Sequence, residues 1–285
     1  MTEPIIVGAD GSRYADRAVE WAADEAARRS RPLHIVHTVA RRPYDIPLYP
    51  PQGELEAEAR AGQQVIVAAE KLADARQPGV LVTSEVISAG IVPVLCDRSA
   101  RAFETVVGHR GLGGFASLLL GSVGLRMAEQ ATGPVVIVRG GTGRPDVAVG
   151  IGSADDSAAL EYAFEAAALR GTRLRVIRAY QVPDRPQPGG EVTDLRGLEE
   201  SVRWQVIEAH APWRRRFPDV EVVEDVIRDH PVAALTEISR QVGLLVVGNH
   251  GGGFHLPRLG SVSHGIVHHS HCPVVVARAP SSTDH

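Results

Sequence analysis

Glycine recurs at 108, 111, 113, 114 and 121, directly after the apolar pair Val106-Val107. Glycines at the end of a buried strand leave backbone N–H groups open, because no Cβ screens them. Gly121 and Ser122 then begin a segment of helical character, and the first N–H groups of a helix have no acceptor within it. A loop of open amides joined to a helix N-terminus is built for an anion, and phosphate suits it. The amides of Gly111 to Gly114 and of Gly121 to Val123 are the candidate donors, with the Ser122 hydroxyl and the Arg110 guanidinium beside them. A second candidate lies near the start of the chain, where an apolar run ends in Gly8-Ala9-Asp10. A carboxylate beside a polyphosphate is tolerable when it holds ribose hydroxyls or Mg²⁺.

Positioning these residues needs strands that end together. Ile5 to Gly8 reads as a short buried strand, and Ser12 can cap the helix expected over 16–29, where Ala18, Val19, Ala22, Ala23 and Ala26 recur at helical spacing. Leu33 to Val39 is a second strand with Thr38 at its end. The proline-rich stretch 41–53 cannot be regular structure. A helix over 54–75, a strand over 80–87, a helix over 92–101, a strand over 103–107, a helix over 122–131 and a strand over 135–138 follow. Strands alternating with helices predict a doubly wound parallel sheet, and a strand order of 3-2-1-4-5 places Asp10 opposite the Gly108 loop.

The programme then restarts after the linker 141–145. Leu244-Leu-Val-Val-Gly248 repeats Thr105-Val-Val-Gly108, and Cys272-Pro-Val-Val-Val276 repeats Gly133-Pro-Val-Val-Ile137. Two domains are expected, 1–141 and 142–285, each a five-stranded parallel sheet with helices on both faces.

The totals narrow the chemistry. A net charge of -4 gives no basic surplus for nucleic acid or an anionic membrane. Lys71 is the sole lysine, so a phosphate loop completed by lysine is excluded. Cys96 and Cys272, each in an apolar segment, predict two buried thiols in a reducing compartment. With no signal-peptide pattern and no apolar run of bilayer length, a soluble cytoplasmic protein is expected.

With these motifs the chain resembles the universal stress protein family in its tandem two-domain form. That family's nucleotide signature, G-x2-G-x9-G-[ST] after the fourth strand, is matched by Gly108, Gly111, Gly121 and Ser122, with Asp10 after the first strand. The resemblance implies a flavodoxin-like α/β fold and an ATP-binding regulatory or stress-response protein. It also implies that Thr38 meets adenine through its backbone and that Gly8, Ala9 and Asp10 flank the nucleotide. A slow Mg²⁺-dependent ATPase or adenylyl-transferring enzyme, and a nucleotide-free interaction scaffold, are the alternatives. An unidentified protein partner is implied, and a homodimer is compatible with the sequence but unmarked in it.

The second half departs from the signature. Gly152 stands where Asp10 does, and eight residues rather than nine separate Gly251 from Gly260, with Pro257 among them. Gly150, Gly248, Gly251, Gly260, Ser261 and Val262 form a weaker candidate set. Asp155 or Asp156 could supply the missing acid, though capping the following helix is the expected role. Six histidines fall between His250 and His271, but no metal site is assigned to them, and no catalytic residue is assigned. His109 is the one base beside the first loop and is read as a loop histidine without chemistry.

Overall fold

The computed structural model describes residues 2–39, 52–112, 120–141, 143–152, 156–182, 195–249 and 259–278. It divides into two compact units, the first running to Arg139 and the second starting at Gly140. In the first unit the order is β1 (Ile5–Gly8), α1 (Arg13–Arg29), β2 (Leu33–Thr38), α2 (Gln52–Arg76), β3 (Val82–Ile87), α3 (Ile91–Ser99), β4 (Glu104–Gly108), α4 (Ser122–Gln130) and β5 (Val135–Val138). The second unit follows with β6 (Val147–Gly150), α5 (Ser157–Arg170), β7 (Leu174–Tyr180), α6 (Leu195–Arg216), β8 (Val222–Arg228), α7 (Pro231–Ile238), β9 (Leu244–Gly248), α8 (Ser261–His269) and β10 (Val274–Ala277).

Within the first unit the strands lie in the order β3-β2-β1-β4-β5, all parallel, and within the second β8-β7-β6-β9-β10. α1 packs on α2 and α3 on α4, and the second unit repeats this with α5 on α6 and α7 on α8. Parallel strands covered on both faces must be apolar throughout. Ile5, Val7, Ile35, Val36, Val106 and Ile137 are accordingly inaccessible to solvent.

Helix α1 illustrates how local sequence sets an element. The Ser12 side chain accepts the Ala15 N–H at 3.2 Å, closing the N-terminus. Its far end turns left-handed at Ser30 (φ 51°), so that Arg31 N–H reaches the Ala26 carbonyl at 2.9 Å. The buried stripe Ala18, Val19, Ala22, Ala23 and Ala26 consists of small side chains that let the helix lie close on the sheet.

α3 stops at Ser99, short of the expected 101, and its counterpart α7 stops at Ile238. Ser99 and Ser239 explain this: each hydroxyl donates back to the carbonyl three residues earlier, Cys96 at 2.7 Å and Thr236 at 2.6 Å. Each then accepts an N–H from beyond the next helix, Thr132 on Ser99 at 3.0 Å and His271 on Ser239 at 2.9 Å. Cys272 is buried, whereas Cys96 is only partly so, in contact with the Met127 sulfur at 3.7 Å. The expectation of two buried thiols holds for Cys272 alone. No helix among the described residues is long and apolar enough to cross a membrane.

Candidate functional site

The sheet order reverses between β1 and β4, and the chain leaves both strands there at their carboxyl ends. β1 ends at Gly8, with Ala9 N–H held on the Val36 carbonyl at 2.9 Å. Asp10 follows at once, and Gly11 turns the chain with φ 78°, a conformation that favours glycine. The two Asp10 oxygens divide their work. Oδ1 accepts the Ser12 N–H and Oδ2 accepts the Leu112 N–H, both at 2.9 Å. One carboxylate thus ties the β1–α1 turn to the glycine loop.

The loop is drawn tight at its neck, where Gly121 N–H donates to the His109 carbonyl at 2.7 Å. Gly108 passes so close to α1 that a Cβ there would lie 2.7 Å from the Tyr14 carbonyl oxygen. A Cβ on Gly111 would lie 2.5 Å from Asp10 Oδ2. These two positions require glycine for close approach rather than for backbone torsion. Gly121 is the N-cap of α4 and offers no side chain to the first turn, so the amides of Ser122, Val123 and Gly124 receive no side-chain cap.

Thr38 lies on the third side. Val36 turns its carbonyl to Ala9, and Val39 turns its N–H to Ile87. By strand alternation the backbone N–H and C=O of Thr38 point past the end of β1, into the space above the switch point. Gly8, Ala9, Asp10, Thr38, Gly108, Arg110, Gly111, Gly121, Ser122 and Val123 therefore gather at one end of the sheet. Gly113, Gly114 and Gly251 lie outside the described residues.

The electrostatics beside the loop involve groups the sequence did not single out. The Tyr14 hydroxyl accepts from Arg13 Nη2 at 2.8 Å, and hydrogen bonds from Arg13 and then Arg110 draw its pKa below the usual phenol value. The His109 ring sits edge-on to Tyr14, with centroids 4.6 Å apart, and its Nδ1 lies 3.1 Å from the Val138 carbonyl. A carbonyl only accepts, so Nδ1 carries the proton. Burial, partly offset by that carbonyl and reinforced by Arg139, Arg110 and Arg17, lowers the His109 pKa to about 4. So weak a base is poorly matched to activating water near neutral pH. Nothing in the spacing of Arg13 and Tyr14 signals this cluster, because it forms only when α1 crosses the end of β4.

The second unit has a cleft at the corresponding switch point, between β6 and β9. Its volume is about 340 Å³, and Gly150, Ile151, Ala179, Leu235, Gly248 and Ser261 are among its walls. Val262 lines it as well, and Gly260 is the N-cap of α8, with no side chain to cap its first turn. The acid arrives from the opposite side of the turn. Asp156 occupies the N-cap position of α5, yet its carboxylate accepts the Gly152 N–H at 2.5 Å instead of capping the helix. This corrects the expected capping role; Asp155 lies outside the described residues. Asp156 is 6% exposed, its carboxylate folded into the turn. The His264 and His268 rings on α8 lie 4.8 Å apart, tilted by 41°, and no group of three or more potential metal ligands occurs among the described residues.

Two α/β units of one strand order, each with a glycine N-cap on the helix after its fourth strand, define a tandem α/β protein. A profile of the universal stress protein family matches residues 1–139 and again 144–278. The chain belongs to that family. It is 34% identical over 306 aligned positions to a universal stress protein of Mycobacterium tuberculosis, covering 97% of this chain and 95% of the relative. A universal stress protein of Mycolicibacterium smegmatis is 36% identical over 286 positions, with 96% of each chain covered. Among solved structures, a universal stress protein from Archaeoglobus fulgidus shares the fold with a TM-score of 0.70 at 18% identity, over 98% of this chain and 97% of that one.

Proposed function

We propose that this universal stress protein binds ATP at the switch point of the first domain, 1–141, and acts as a nucleotide-gated regulatory protein. The observation that carries the reading is the Asp10 carboxylate, which fixes the Gly111–Leu112 backbone beside the glycine-capped start of α4. The amides of Gly111, Gly113 and Gly114, with those of Gly121, Ser122 and Val123, take the phosphates. The Ser122 hydroxyl and Arg110 add to them. Thr38 meets the adenine edge through its backbone, and Gly8 and Ala9 floor the ribose. Each Asp10 oxygen accepts one amide and keeps a second lone-pair direction for a ribose hydroxyl, so the residues fit the nucleotide. When Mg²⁺ accompanies the phosphates, it neutralises their charge beside Asp10.

The second domain, 142–285, binds nucleotide weakly or not at all. Gly152 stands in place of Asp10, the nearby acid Asp156 sits at the start of α5 instead, and the glycine loop is one residue shorter. A ligand that binds only the native state raises its stability, which lets nucleotide occupancy set how much of the folded surface is offered to a protein partner.

Titration calorimetry with ATP and chromatography of nucleotide released by denaturing the purified protein test this together. One tight site per chain and intact ATP are expected. Two equal sites overturn the asymmetry between the domains. ADP or AMP in the released fraction favours slow hydrolysis or adenylyl transfer, and neither heat nor nucleotide leaves a scaffold.

A further inference from the structure

We propose that the second unit has a further binding site, between α5 and α6, for a small planar aromatic monoanion that carries a hydrogen-bond donor. The site is a cavity of about 550 Å³, a volume ordinary for small-molecule pockets. It opens over the carboxyl ends of β6 and β7, on the α5–α6 side, and shares Ile151, Asp156 and Arg178 with the switch-point cleft.

The internal repeat shows how the cavity arises. Glu70 binds Ser84 in the first unit at 2.5 Å, and His210 binds Glu224 in the second at 3.1 Å, which sets α6 against α2 at an offset of 140 residues. At that offset Leu72 and Ala73 become Pro212 and Trp213. In the first unit the seam between helices is filled: Ile66, Ala69 and Ala73 are buried, and Val65 lies 3.3 Å from where a Cβ on Gly11 would be. In the second, Trp213 stands at the position of Ala73, and the cavity lies between α5 and α6 there.

Three features give the cavity its chemistry. Pro212 lies inside α6 and has no N–H, so the carbonyl of Glu208, four residues earlier, is left without its helical donor. Both residues line the cavity. Trp213 supplies a flat, half-buried wall for an aromatic ring. Arg178 supplies the charge. Leu33 and Leu174 each pair with the first residue of the neighbouring strand, Ile5 and Val147, so Arg178 is the counterpart of His37. His37 turns its ring to the Ala9 carbonyl at 2.7 Å, whereas Arg178 makes no ion pair or hydrogen bond among the described residues. Asp156, which also lines the cavity, directs its carboxylate to the Gly152 amide. A guanidinium, a carbonyl without its helical donor and an indole lining one cavity fit an aromatic ring that carries both an acid and a donor.

The probe is 4-aminobenzoate, with 4-aminobenzamide as the neutral match. Trp21 and Trp204 are replaced by phenylalanine so that emission reports Trp213 alone. Saturable change with the acid, at least tenfold weaker for the amide, is expected. Arg178→Gln weakens acid binding at least tenfold, and Ala209→Phe, which fills the cavity, abolishes it, with melting curves checking that each variant is folded. Emission that does not saturate, or acid and amide binding equally to the unsubstituted cavity, overturns the proposal. The acid–amide comparison needs no cavity variant and stands if Arg178→Gln fails to fold.

Discussion

Asp10 Oδ2 and the Leu112 amide meet at 2.9 Å across 102 positions of the chain, and that single contact joins the two motifs of the first domain. Hydrogen bonds to a charged acceptor contribute about 1.5–3 kcal/mol. Asp10→Asn keeps the shape but loses the charge and one acceptor oxygen. ATP affinity measured by calorimetry is expected to fall roughly 10- to 100-fold, with faster hydrogen exchange at Leu112. Unchanged affinity would mean that the loop is held by something other than Asp10.

Gly108 and Gly111 separate folding from binding. A methyl group at Gly108 meets the Tyr14 carbonyl at 2.7 Å and the Ala15 nitrogen at 3.2 Å, both backbone atoms that α1 holds in place. Gly108→Ala is expected to cost about 1–3 kcal/mol in urea unfolding. At Gly111 the nearest atom is the end of the Asp10 side chain, which can swing away and release Leu112. Gly111→Ala is expected to melt near the parent temperature while losing ATP.

His109 makes the first unit acid-sensitive. Its imidazole titrates near 6.5 when unfolded but only at about 4 when folded, chiefly through burial. The unfolded state therefore takes up a proton first. The contribution is whole above the unfolded pKa and is lost as pH falls from 6.5 toward 4, by about 2 kcal/mol between pH 7 and pH 5. His109→Asn retains a donor near the Val138 carbonyl without titrating. Urea midpoints at the two pH values should converge in the variant, and an equal drop in both proteins would assign the acid loss elsewhere.

Asp156 is expected to matter for stability rather than for ligand in the second unit. Asp156→Ala strips the Gly152 amide of its acceptor at the start of α5, at about 1–3 kcal/mol by chemical denaturation. A stability indistinguishable from the parent would show that water satisfies the amide equally well.

The parallel sheets were legible because buried parallel strands write continuous apolar runs, as at Val106 and at Val246, and because the glycine loop recurs after the fourth strand of each repeat. The place of Asp10 opposite the loop followed from strand order alone. Helix ends at Ser99 and Ser239 were not legible, since a serine hydroxyl that turns back on its own helix leaves no mark in hydrophobic spacing. Nor was the use of Asp156: its position before α5 signals a cap, and only the three-dimensional turn decides that Gly152 receives the carboxylate. The Tyr14–His109–Arg110 cluster joins residues whose separation carries no periodicity.

The serine clasps bear on how the start of α4 can move. Ser99 is 2% exposed and holds the chain just past α4 through the Thr132 amide, at the end of that helix remote from the phosphate loop. A rod pinned at its tail cannot slide toward a charge gathered at its head; it can only pivot. If nucleotide binds as proposed, a displacement at Ser122 would be felt at the far end of α4 as a tilt about the Thr132–Ser99 contact.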